Sequence, residues 1–282
     1  MIRSSRQRET SSLSLSTSPA VPVVLSIAGS DNSGGAGIQA DLKTFTTLGV
    51  YGATAVTCVV AEHPGRVLNI TAIPPERVAD QIRLVLEAFP VAAIKTGMLY
   101  SAEIIEAVAD IVLPLVKRIP LVVDPVMVAS SGKVLMKKAA IRALKKFIAH
   151  ADLVTPNRDE AALLWGKPIT NLKALKQAAL GLAKASRHAH FLVKGGHLKT
   201  DEAVDVLSFP DGRTREFAAA RIPNVDPHGT GCTYSAAIVA GMARGLTVSE
   251  AVLFGKIFIT RALQNRFEIG PYQLLNHLPP RW

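Results

Sequence analysis

Short apolar runs alternate with helix-patterned segments along most of the chain, and that alternation leaves few folds open. The runs over 21–28, 51–60, 92–95, 121–123, 153–155 and 191–193 are almost uncharged, as strands buried on both faces of a sheet must be. Helical segments fall between them, over 38–48, 75–89, 101–117, 137–149 and 171–186, with another opening at 156–160. Their ends are marked by Gly49, by Pro75 in a first turn, and by Ser101 and Asn171 as caps. A further short strand is expected over 67–73. Pro210-Asp211-Gly212 predicts a hairpin between strands over 203–208 and 213–217. An apolar helix runs from Cys232 to about 244, and Thr247 with Glu250 forms a capping box for a last helix to about 265. Strand–helix alternation of this kind predicts an α/β fold around a mainly parallel sheet. No internal repeat or linker divides it, so residues 21–282 are expected to form one domain. Residues 1–20 are rich in Ser and Thr and lack an apolar core, which excludes a secretory signal. They are expected to be a disordered tail, with an organelle transit peptide as the alternative.

Ligands of open parallel sheets gather beyond the carboxyl ends of the strands, so the loops there are where chemistry is sought. They carry Asp31, Glu62, Met98, Asp124, Asn157, Glu160, Lys194 and Cys232. The most informative of these loops is His228-Gly229-Thr230-Gly231-Cys232-Thr233, where glycines run directly into a helix. A helix start offers unpaired N–H groups and a positive dipole end, which suits a phosphate or a developing anion. Cys232 among those donors is expected to have a lowered pKa. The plain alternative is a glycine-capped helix with a buried cysteine.

Known phosphate motifs do not fit. A P-loop needs Gly-Lys followed by Ser or Thr, whereas Gly132-Lys133, Gly166-Lys167 and Gly255-Lys256 precede Val134, Pro168 and Ile257. Gly229-Thr230-Gly231 is followed by Tyr234 and comes last in the chain, unlike a dinucleotide fingerprint. HExxH and G-x-S-x-G are absent. Asp124, at a strand end, fits a magnesium ion, directly or through water, or else a turn cap before Pro125. Asn157 and Glu160, three apart at a helix start, would position a magnesium–phosphate group or simply cap the helix. Lys194 before two glycines suits phosphate neutralisation, or a solvated surface.

Composition narrows the rest. The net charge of +10 comes from 32 scattered Lys and Arg with few aromatics, which argues for a surface attractive to anionic metabolites and against nucleic acid. No run reaches the roughly 18 apolar residues of a membrane helix. Cys58 and Cys232 form no CxxC pair, which fits a reducing, cytoplasmic setting.

Six stretches occur together in one order. They are 27–31 with 33–44 (Ser33-Gly34-Gly35-Ala36-Gly37 onward), Thr96-Gly97-Met98-Leu99, and Asp124-Pro125-Val126-Met127. The remaining three are Thr155-Pro156-Asn157 with Glu160, Val193-Lys194-Gly195-Gly196-His197, and 228–233. This set resembles the ribokinase-like superfamily, and within it the hydroxymethylpyrimidine/phosphomethylpyrimidine kinases of thiamine biosynthesis. The resemblance covers about 21–264 and implies a three-layer α/β/α sandwich. It implies two ATP-dependent phosphorylations at one site, of 4-amino-5-hydroxymethyl-2-methylpyrimidine and then of its monophosphate. By position it implies that Gly229, Thr230, Gly231 and Cys232 form the anion hole, with Cys232 where sugar kinases keep an Asp base. It assigns Glu62, Gly29, Ala36, Asp41, Val60, Met98 and Val126 to the pyrimidine. Asn157, Lys194 and Thr230 fall to the nucleotide, and Asp124 and Glu160 to Mg²⁺. A homodimer is implied by the same analogy. The sequence departs from the family at His63-Pro64-Gly65-Arg66, where Asn and a small polar residue are usual after Ala61-Glu62, and in the tail after Arg266. Two alternatives stand beside it: a pyridoxal/pyridoxine kinase, which shares the fold and the Gly-Thr-Gly-Cys turn, and a non-catalytic pyrimidine-binding regulator, against which Asp124, Asn157, Glu160 and Cys232 together argue.

Overall fold

The computed structural model describes residues 20–127, 136–198, 200–223, 225 and 228–278. All of the expected disordered tail but residue 20 lies outside them, as do part of the 126–132 loop and three residues shortly before Gly229. The first strand, β1 (Val23–Asp31), is the axis of the architecture. It pairs in parallel with β2 (Tyr51–His63) on one side and β4 (Val91–Thr96) on the other. The parallel series continues through β5 (Leu121–Val123), β6 (Leu153–Val154) and β7 (His190–Val193). Antiparallel strands close both ends of the sheet: β3 (Arg66–Ala72) on β2, and β8 (Glu202–Ser208) with β9 (Thr214–Ala220) beyond β7. The order is β3-β2-β1-β4-β5-β6-β7-β8-β9.

Helices cover both faces. Helices α1 (Gly37–Thr47), α7 (Thr230–Ala243) and α8 (Val248–Gln264) pack together on one; α1 and α7 also rest on β1, and α7 on β4. The other carries α2 (Pro75–Ala88), α3 (Ala102–Val112), α4 (Lys138–Ile148), α5 (Arg158–Trp165) and α6 (Leu172–Ser186). Each face has its own apolar core, which explains why the central strands read as unbroken apolar runs: Val122, Val123, Leu153, Val154, Leu192 and Val193 are fully buried. Helix α7 is buried from Thr233 to Gly241, as expected of a helix that is apolar all round.

Two segments differ from expectation. The helix after Ser101 ends at Val112 rather than near 117, because Pro114 starts a 3₁₀ turn over Leu113–Leu115. The tail forms a small hairpin, β10 (Phe267–Ile269) and β11 (Tyr272–Leu274), turning at Gly270 with φ +57°.

Candidate active site

A cavity of about 670 Å³ opens at the carboxyl ends of the parallel strands. Every expected site residue except Asp41 lines it: Gly29, Ala36, Val60, Glu62, Met98, Asp124, Val126, Asn157, Glu160, Lys194 and 229–232. Successive strand ends deliver them, so residues scattered over 200 positions of chain share one rim.

The anion turn is built by close backbone approach. Gly229 caps α7 with φ +78°, a conformation that non-glycine residues avoid, and no side chain caps the helix. The leading N–H groups of α7 therefore remain available, as at other anion-binding helix starts. Thr230 Oγ1 is buried beside them and has no hydrogen-bond partner among the described residues. Gly229 packs against the Gly35 carbonyl, while a Cβ on Gly231 would stand 3.3 Å from Lys194 Nζ. The turn thus touches the glycine loop on one side and a largely buried charge pair on the other.

That pair is Lys194–Asp124. Lys194 Nζ donates to Asp124 Oδ1 at 3.1 Å, Thr155 Oγ1 to the same oxygen at 3.2 Å, and Ser235 Oγ to Oδ2 at 3.0 Å. Desolvation alone would raise the Asp124 pKa, but the nearby ammonium groups of Lys194 and Lys95 and these donors hold it low. Asn157 and Glu160 form a full capping box at α5. Asn157 Oδ1 accepts from the Asp159 and Glu160 N–H groups, and Glu160 Oε2 from the Asn157 N–H at 2.9 Å. Glu160 Oε1 accepts from Met127 N–H. The capping alternative is thus present, and both side chains still reach the cavity wall. Desolvation raises the Glu160 pKa against the pull of Lys194.

Two expectations need correction. Asp41 is fully buried, accepts from Lys95 Nζ and Ser26 Oγ, and does not line the cavity. Its face of α1 turns towards the sheet, so motif membership did not put it at the substrate. The Cys232 thiol is pushed up to about 11, not down. Desolvation outweighs the Lys95 charge, and the carboxylates of Asp41 and Asp124 add to the rise.

Sequence reasoning assigned no role to several residues that the fold brings here. His228 Nε2 lies 3.1 Å from Asp31 Oδ2, which also accepts the N–H groups of Gly35 and Ala36. Although burial would raise the Asp31 pKa, these bonds keep it well below the usual range. Glu62 is raised by desolvation and by the Asp31 charge, with His228 opposing. Lys256 Nζ donates to Asp205 Oδ2 at 2.7 Å, and Asp205 Oδ1 accepts Gly195 N–H, which fixes the loop after Lys194. A lysine inside an apolar stretch of α8 was the available signal. No group of three or more His, Cys, Asp or Glu among the described residues forms a metal cage.

A family described as phosphomethylpyrimidine kinase matches residues 31–277. The hydroxymethylpyrimidine/phosphomethylpyrimidine kinase of Rhizobium meliloti (strain 1021) is 44% identical over 265 residues, spanning 92% of this chain and 98% of that protein. Among solved structures, phosphomethylpyrimidine kinase from Clostridium difficile 630 is 38% identical with a TM-score of 0.72, covering 86% of this chain and 99% of the other. Pyridoxal kinase from Staphylococcus aureus, solved with AMP-PCP and pyridoxal, is 32% identical with a TM-score of 0.82, covering 92% and 94%.

Proposed function

The chain belongs to the phosphomethylpyrimidine kinase family and is a phosphotransferase, and from that premise we propose its reaction. It transfers the γ-phosphoryl of ATP to the hydroxymethyl oxygen of 4-amino-5-hydroxymethyl-2-methylpyrimidine, then transfers a second to the resulting monophosphate. The observation that carries this reading is the position of the 229–232 turn, in contact with the glycine loop and facing the Lys194–Asp124 pair.

The ring lies against Gly29, Val60 and Met98, with Glu62 accepting from the exocyclic amine. The alcohol oxygen bonds to the γ-phosphorus, the bridging P–O bond breaks, and ADP leaves. Phosphoryl transfer needs mostly positioning and charge stabilisation. The N–H groups of Gly231 and Cys232, with Thr230 Oγ1, meet the charge on the transferring oxygens, and Lys194 adds its ammonium. The first step also releases a proton, which Cys232 accepts late, through its small thiolate fraction. The second step attacks with a phosphate oxygen that is already ionised. Asp124 and Glu160 have oxygens occupied by hydrogen bonds, a donor set that fits magnesium held through its waters and the nucleotide phosphates. When bound, the ion supplies positive charge against those phosphates. A homodimer and a cytoplasmic setting belong to the same reading on the strength of resemblance alone.

Pyridoxal is the second reading, supported by the TM-score of 0.82 to a pyridoxal-bound kinase. Incubation of the full chain with ATP and the pyrimidine alcohol, followed by mass spectrometry, tests the leading one. Monophosphate followed by pyrophosphate is expected; no phosphorylated product would contradict it.

A further inference from the structure

Lys194 opens a loop that one distant side chain grips. Arg221 follows β9, two strands beyond β7, yet its guanidinium reaches back to the segment between β7 and β8. Nε donates to the Thr200 carbonyl at 2.6 Å, Nη1 to that of Gly196 at 2.8 Å, and Nη2 to that of Leu198. Three carbonyls of one short loop thus converge on one planar fork. Arg221 forms no ion pair among the described residues. By contrast, Arg158, which donates to the His197 carbonyl at 3.0 Å, is paired with Asp159. Arg221, Lys194, Gly196 and His197 all line the cavity.

Loop closure alone does not call for such a grip. Gly196 and Thr200 are exposed, so water could satisfy their carbonyls. A guanidinium in that place gives up rotamer freedom and leaves a charge without a carboxylate. It does one thing that water cannot: its donors have fixed spacing, so they fix the carbonyls relative to one another. The root of the loop is held as well. A Cβ on Gly195 would stand 2.0 Å from the Val204 carbonyl oxygen, and Asp205 Oδ1 accepts the Gly195 N–H at 2.9 Å. The Lys194 N–H donates to the Pro156 carbonyl at 2.9 Å. Between these points the chain has little freedom, and Lys194 Nζ is left 3.1 Å from Asp124.

We propose that Arg221 is a positioning residue for Lys194. By gripping the Gly196, Leu198 and Thr200 carbonyls it holds the loop along the cavity wall, so that the Lys194 ammonium meets the terminal phosphate of the nucleotide. The inference rests on the reading of Lys194 as a contact to the transferring phosphoryl, and its test is a binding measurement that needs no turnover.

The test is the pair of dissociation constants for AMP-PCP and ADP, by titration calorimetry on the full chain with magnesium. ADP lacks the phosphate that Lys194 meets, so it reports on the rest of the nucleotide site. Arg221→Ala should weaken AMP-PCP about tenfold or more, the worth of one charge-assisted hydrogen bond, and leave ADP within about threefold. Guanidinium chloride, far below denaturing concentrations, should restore AMP-PCP binding to Arg221→Ala, and sodium chloride at the same concentration should not. If Arg221→Ala fails to fold, Arg221→Lys, which keeps the charge and loses the fork, should likewise weaken AMP-PCP and spare ADP. In either variant, equal weakening of the two nucleotides or unchanged AMP-PCP binding would overturn the inference. So would a failure of guanidinium to restore Arg221→Ala, or a restoration that sodium chloride matches. Wild-type chain that binds AMP-PCP but phosphorylates no pyrimidine would instead contradict the substrate reading and leave these constants standing.

Discussion

A Cβ on Gly229 would lie 1.8 Å from the carbonyl oxygen of Gly35, so the two backbones meet with no room for any side chain. Gly229 also has φ +78°, which costs a non-glycine residue about 1–2 kcal/mol. The contact joins the glycine loop to the anion turn. Gly229→Ala should therefore displace the turn as well as strain it. A displacement of about 1 Å at a reacting centre can cost 10²-fold. The expected outcome is a loss of kcat/KM of about that size, with a fall in Tm of only a few degrees.

Cys232→Ala should impair the first phosphorylation more than the second. General-base assistance contributes roughly 10²–10⁴-fold, and only the alcohol needs it. Single-turnover rates measured separately for the alcohol and its monophosphate check this. Equal losses would remove the base role.

The raised thiol gives the two steps different pH profiles. With a pKa of about 11, the thiolate fraction of Cys232 grows about tenfold per pH unit throughout the neutral range. The first step should accelerate accordingly between about pH 7 and 9, and the second should stay nearly flat. Stopped-flow measurement of each chemical step reads the slopes.

His277 adds a pH dependence to stability. Its Nε2 lies 2.9 Å from Thr233 Oγ1, and burial lowers its pKa from 6.5 to about 4. The folded chain thus binds fewer protons than the unfolded chain between those values, so this residue makes stability rise with pH across that window. Below about pH 4 its penalty is complete, up to about 3 kcal/mol, and above about 6.5 it vanishes. In urea melts at pH 4.5 and 7, His277→Gln should lose less stability on acidification than wild type.

Much of the fold was legible because strands buried on both faces must be apolar throughout: 121–123, 153–155 and 191–193 were visible as such. The hairpin over 267–274 was not, since three-residue strands carry too few side chains to set a period. The rim of the site was legible through its strand-end positions. What failed was environment. The sequence placed Cys232 at a helix start, which lowers a thiol, but could not see the desolvation and the two carboxylates that raise it. Asp41 stands beside site residues in the chain, yet the helix turns it inwards to Lys95. The two departures from the family pattern, His63 and the tail, meet in space. Tyr272 Oη lies 3.1 Å from His63 Nδ1, near the cavity mouth that His63 lines.

That mouth borders the proposed ring pocket, so substrate choice is the central claim to test. The most direct measurement is kcat/KM for the aminopyrimidine alcohol against that for pyridoxal, under one set of ATP and magnesium concentrations. The pyrimidine should be favoured by tenfold or more, about 1.4 kcal/mol of discrimination from the Glu62 contact with the exocyclic amine. A ratio at or below one, or no turnover of the pyrimidine, would contradict the account.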